Sequence, residues 1–97
     1  MQASSRPQTQ SSYAAHFVLD ADASPCLLPN VLQPFARRGL IPDHVSVQRM
    51  GERMRVELAL DAITAQEAHL VEGNLRQVIG VRDVNRLGFA GARQHAA

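Results

Sequence analysis

Few side chains in this 97-residue chain can carry covalent or acid–base chemistry: one cysteine, Cys26, four histidines and nine carboxylates. Ser24, Cys26 and His44 would form a nucleophilic site only if the fold supplied a base and an orienter within hydrogen-bond reach, and nothing in their spacing does so. Cys26 lies near the N-terminus of a candidate helix, whose dipole would lower a thiol pKa, but a lone cysteine in an apolar stretch is expected to pack as a small buried hydrophobe. A single cysteine rules out an intramolecular disulfide and any zinc centre with two or more thiolates. His16, His44, His69 and His95 have no metal-ligand spacing, so no metal and no cofactor is expected. Because all ten basic residues are arginine, Schiff-base and lysine-nucleophile chemistry are excluded.

Asp20 and Asp22 are expected in the loop after the first strand, just before Ser24 and Pro25, where they would either meet the ammonium of a ligand or favour a turn. Arg37 and Arg38, at the end of the same candidate helix, read as surface charge compatible with its dipole. The formal charge is +1 and evenly spread, so no basic face for nucleic acid or anionic lipid is expected. No apolar run approaches the roughly 20 residues needed to span a bilayer, and with one cysteine the chain is expected in the cytoplasm.

The elements that must position these residues follow from periodicity. Tyr13 to Asp20 alternates, with Tyr13, Ala15, Phe17 and Leu19 on one face, and predicts a strand. Leu28, Val31, Leu32, Phe35 and Ala36 lie on one helical stripe. Ser24 and Pro25 suit its N-cap and first position, Gly39 its left-handed end, and Pro29 and Pro34 predict a late start or a kink. His44 to Met50 and Arg53 to Leu60 alternate around a Gly51–Glu52 turn and predict a hairpin. Thr64 and Glu67 form a capping box opening a second helix, with Ala68, Val71, Leu75, Val78 and Ile79 on one face until Gly80. Val81 to Leu87 is a short strand whose imperfect alternation suggests a bulge.

The order β-α-β-β-α-β predicts an α+β, ferredoxin-like domain over 13–87, a four-stranded antiparallel sheet with both helices on one face. Residues 1–12 and 88–97 are expected as tails. The first and third strands are central, and the second is an edge with unpaired backbone groups unless another chain covers it. So small a domain is only marginally stable alone, which favours self-association.

Pro25, Leu28, Phe35, Arg38 and Gly39, in the segment PCLLPNVLQPFARRGLI, fall where ACT domains carry a proline, an apolar residue, and a helix-ending Phe, Arg and Gly. The chain therefore resembles the ACT family, and within it the short small regulatory subunits of acetolactate synthase. The resemblance implies a non-catalytic module that dimerises through the second strand and the first helix and binds the acetolactate synthase catalytic subunit in branched-chain amino acid biosynthesis. It implies an amino-acid effector site formed by Asp22, Pro25, Cys26 and Leu27 of one chain with Ile41 and Asp43 of the other. The implied dimer interface holds Leu40, His44, Val45 and Val47. Cys26 stands where the family carries a loop glycine, and Ile41 where valine-sensitive subunits carry an asparagine, which implies a form that does not sense valine. A standalone amino-acid or small-molecule sensor of the same fold is the alternative. An RNA-binding module would need exposed aromatic residues on both central strands, and only Tyr13 and Phe17 are available. An acylphosphatase-like enzyme would need an anion nest in the loop after the first strand, where this chain has the acidic DADASP.

Overall fold

A computed structural model describes residues 12–87. The proposed tails, apart from Ser12, lie outside the described residues, and so does His95. Six elements follow one another: β1 (Ser12–Asp22), α1 (Leu27–Arg37), β2 (His44–Met50), β3 (Arg53–Thr64), α2 (Ala65–Arg76) and β4 (Val81–Leu87). The strands form one sheet in the order β2-β3-β1-β4, and every pairing is antiparallel. The predicted α+β topology is thus the observed one, with β1 and β3 central.

Alternation along β1 and β3 decides where the core sits. Phe17, Leu19, Val56 and Leu58 are fully buried on one face and pack with Val31, Phe35, Val71 and Leu75 from the two helices. Both helices therefore cover that face, and burying each large apolar side chain contributes roughly 1.5–3 kcal/mol. Phe17 and Phe35 meet edge to face, ring centroids 5.9 Å apart at 76°, the geometry that the quadrupoles of aromatic rings favour.

Two bulges preserve this face where the alternation breaks. Between Ala15↔Leu60 and Tyr13↔Ile63 the β3 strand gains a residue, which returns Ile63 to the core. This is why β3 continues to Thr64, beyond the predicted Leu60. In β4 the register slips between Asp20↔Asp83 and Ala21↔Val81, the expected bulge, with Arg82 as the extra residue.

The helix ends differ in part from the prediction. The N-cap of α1 is Cys26, without a side-chain cap; Ser24 and Pro25 form a turn ahead of it. Pro29 occupies the first turn, where an amide hydrogen would be unpaired anyway, and α1 runs unbroken past Pro34. The buried stripe is Leu27, Val31, Pro34 and Phe35, one position back from the predicted one, which leaves Leu28 and Leu32 half-buried and Ala36 exposed. At the other end Gly39, φ 70°, closes a Schellman motif: its amide donates to Ala36 O at 3.1 Å and that of Leu40 to Phe35 O at 2.8 Å. Thr64 and Glu67 form the predicted capping box of α2. That helix ends at Arg76 rather than Gly80, and Ile79 is 91% exposed, in contrast to its predicted place on the buried face.

Candidate functional site

At one end of the sheet the β1–α1 loop, the β2–β3 hairpin and the α2–β4 turn come together. Asp20 and Asp22 belong to β1 itself, a correction to their expected loop position. The amide of Asp22 donates to Gly80 O at 2.9 Å and that of Ala23 to Glu52 O at 2.8 Å, which pins the loop between the two neighbouring turns. Asp22 accepts Arg82 Nε at 2.8 Å and Nη2 at 3.3 Å. The Arg82 hydrogen bond holds the Asp22 carboxyl below its usual range, and the same contact raises the guanidinium. Asp20 is paired with Arg53.

Cys26 is exposed, contrary to the expectation of a buried hydrophobe. The reason is its N-cap position, which turns it outward while Leu27 takes the inward place. Leu27 is 1% exposed and belongs to the core, so its side chain is not available to a ligand, a second correction. Ser24, Pro25 and Ala23 face Arg49 and Met54 across a cavity of about 270 Å³. Neither Arg49 nor Met54 stood out in the sequence. Their signal was there, because alternation with Val45 and Val47 places Arg49 on the helix side of the sheet, opposite Met54.

The other candidate ligand residues lie at the far end of β2. Ile41 is 83% exposed. Asp43 is engaged: its amide donates to Ala59 O at 2.8 Å, and its Oδ2 accepts the Asp61 amide at 2.7 Å, beside the β3 bulge. Six residues of β2 lie between Asp43 and Met50, about 20 Å of strand. Within one chain, therefore, Ile41 and Asp43 do not meet Pro25 and Cys26.

Every residue of β2 is exposed, because the helices cover the sheet only over the other strands. Val45 and Val47, on the helix side, are about 40% exposed, and His44 lies on the open face beside Ala59. An apolar groove of about 430 Å³ opens alongside between the end of α1 and the approach to β2, lined by Leu32, Phe35, Ala36, Leu40 and Ile41.

The open face of the sheet is polar. His16 Nε2 lies 3.2 Å from Glu57 Oε1, and Arg55 Nε donates to Glu57 Oε2 at 3.1 Å; this pairing across 41 residues was not visible in the sequence. Phe17 points into the core and Tyr13 shares the side of Ile63, so β1 offers no aromatic platform for RNA bases. No three metal-ligating side chains converge among the described residues, and no helix among them is long and apolar enough to cross a membrane.

A four-stranded antiparallel sheet in the order βαββαβ, with both helices on one face, defines the ferredoxin-like fold. Residues 8–92 match the model of the ACT-like domain, and the chain belongs to that family. Its members are typically regulatory, non-catalytic modules that often dimerise and regulate enzymes. The ACT domain from GTP pyrophosphokinase of Chlorobium tepidum superposes with a TM-score of 0.70 at 13% identity, over 79% of this chain and 100% of that one. A homoserine dehydrogenase from Thiobacillus denitrificans gives 0.68 at 16% identity, over 78% of this chain and 17% of that one. The regulatory subunit of aspartate kinase from Thermus thermophilus gives 0.59 at 19% identity, over 78% of this chain and 50% of that one. This chain thus spans half or less of the latter two. No curated protein matches the sequence significantly.

Proposed function

We propose that this protein is a non-catalytic regulatory module that dimerises through β2 and α1 and acts by binding an enzyme. The observation that carries this reading is the uncovered β2 edge, which can pair with its own copy. In an antiparallel β2–β2 pairing about a two-fold axis through Val47, each Val47 faces its counterpart and each Arg49 faces a Val45. Arg49 is the only formally charged residue of β2, so no like charges oppose each other. The same pairing sets the start of one β2 beside the end of the other. Ile41 and Asp43 of the second copy then approach the Pro25 loop of the first, which one chain alone does not achieve.

The enzyme favoured by the Pro25–Ile41 resemblance is the catalytic subunit of acetolactate synthase, in branched-chain amino acid biosynthesis. Binding preferentially to the active arrangement of that subunit would raise its population, which is all that regulation requires. Affinity purification of the full chain from its native cells, with mass spectrometry, tests the partner. The expected result is enrichment of an acetolactate synthase large subunit; its absence from the recovered proteins would count against that assignment.

A further inference from the structure

The face of the sheet opposite the helices carries one row of side chains whose charges are not all paired. Arg55 of β3 is the cross-strand partner of Asp20 of β1, and Asp20 is that of Asp83 of β4. Alternation with the buried Leu19, Val56 and Val84 sets all three on the open face. Asp20 and Asp83 are thus like charges directly opposite each other, which is unfavourable unless a cation intervenes. Arg53 pairs with Asp20. Asp83 has only the side-chain amide of Asn85, whose Nδ2 donates to its Oδ2 at 3.1 Å, and among the described residues no cation pairs with it.

At the other end of the row Arg55 is anchored but keeps donors to spare. Its Nε donates to Glu57 Oε2 at 3.1 Å, and Glu57 Oε1 in turn lies 3.2 Å from His16 Nε2. Among the described residues nothing accepts from the terminal nitrogens of Arg55, so the two-pronged end of the guanidinium remains available to a further acceptor. Val18 occupies the neighbouring row of β1, between Glu57 and Asn85. Together Val18, Asp20, Met50, Arg55, Asp83 and Asn85 line an open cavity of about 360 Å³, with one unused cationic end, one carboxylate lacking a cation, and apolar surface from Val18 and Met50.

We propose that this open-face cavity binds a small dipolar molecule whose carboxylate and ammonium are several carbon atoms apart, an ω-amino acid. Its carboxylate accepts from the terminal nitrogens of Arg55, a charge-assisted pairing suited to the planar guanidinium. Its ammonium donates to Asp83 and supplies the cation that the Asp20–Asp83 pair lacks. The methylenes between them lie against Val18 and Met50. Arg55 and Asp83 stand two strand spacings apart, about 10 Å between their backbones, which favours charges held apart over charges on neighbouring carbons. The cavity lies at the lower end of the roughly 300–1,000 Å³ of small-molecule sites, which suits a short chain. It opens on the opposite side of the sheet from Arg49 and Met54, so it is separate from the cavity beside the β1–α1 loop, and it needs neither a second copy nor an enzyme partner.

The test is an NMR titration of the full chain at constant ionic strength with 5-aminopentanoate and, separately, with pentanoate, pentylammonium and 2-aminopentanoate, for the wild type, Arg55→Gln and Asp83→Asn. 5-Aminopentanoate is expected to give saturable shifts at the Val18 and Met50 methyls and the Asp83 and Asn85 amides. Each substitution should weaken its binding by about tenfold or more, and so should the loss of either charge from the ligand. Arg55 and Asp83 are both exposed, so an otherwise unchanged spectrum shows that each variant remains folded, and the two variants test opposite ends of the ligand independently. The proposal is overturned if 5-aminopentanoate gives no saturable shifts, if either variant binds it as tightly as the wild type, or if pentanoate, pentylammonium or 2-aminopentanoate binds equally well. None of these outcomes alters what partner purification would show, so the two readings fail separately.

Discussion

Arg82 and Asp22, 60 residues apart in the chain, form a two-point contact across the β1–β4 pairing, with Nε 2.8 Å and Nη2 3.3 Å from the two carboxylate oxygens. The β4 bulge makes this possible by setting Arg82 outside the regular register, beside the end of β1. The contact ties β4 to the strand end from which the β1–α1 loop departs.

The pair gives stability an acid-side dependence of definite sign. The folded-state pKa of Asp22 is depressed below its ordinary 3.8. Its contribution is therefore fully present above that value and is lost as the pH falls through the lower folded-state pKa. Thermal melts between pH 7 and pH 2 should show a smaller acid-side decline in Asp22→Asn than in the wild type. Equal declines would show that the contact does not contribute. The raised Arg82 pKa acts only at strongly alkaline pH, where its share of the contact would be lost on deprotonation.

Gly39 has φ 70° and nothing within 4 Å of an added Cβ. Gly39→Ala therefore introduces backbone strain without a clash, at a cost of about 1–2 kcal/mol. Urea denaturation should show a lower midpoint with an unchanged slope.

Thr64→Ala removes the side chain that accepts the Glu67 amide at 3.1 Å. The expected loss is about 1 kcal/mol, or about 4–8 °C in Tm for a domain of this size. Thr64→Ser, which keeps the hydroxyl, should recover most of it in the same melting experiment.

Phe17→Ala would empty the centre of the core, where Phe17 is fully buried against Phe35. The expected cost is about 3–5 kcal/mol, read from chemical denaturation. For so small a domain this is a large part of the total stability.

How much of this could be read in advance follows the range of the interactions involved. Local signals held: the Thr64–Glu67 box, the left-handed Gly39, and the alternation of β1 and β2, whose neighbours along the chain suffice to define them. The end of β3 did not, because a bulge opposite β1 reverses the alternation after Leu60, and only the paired strand reveals why Ile63 still faces inward. The start of α1 was misplaced because Pro25 fits a first helical position as well as it fits the turn it occupies. The helix starts two residues later, at Leu27 behind a Cys26 N-cap, which leaves Cys26 exposed and Leu27 buried. Ile79 was misjudged by extending the spacing of α2 beyond Arg76. In the candidate site, Pro25 was legible from its loop, whereas Arg49 and Met54 join it only through the fold of the hairpin.

The central claim, that the β2 edge and α1 form an interface between two copies, is tested most directly by sedimentation equilibrium of the full chain at micromolar concentration, with Val47→Asp as control. Val47 is 41% exposed in the single chain, so the variant should stay folded, while two such aspartates would face each other across the two-fold axis. The wild type should show twice the 10.6 kDa of one chain, and Val47→Asp a single mass. A wild-type mass near one chain, or a dimer that Val47→Asp leaves intact, would contradict it.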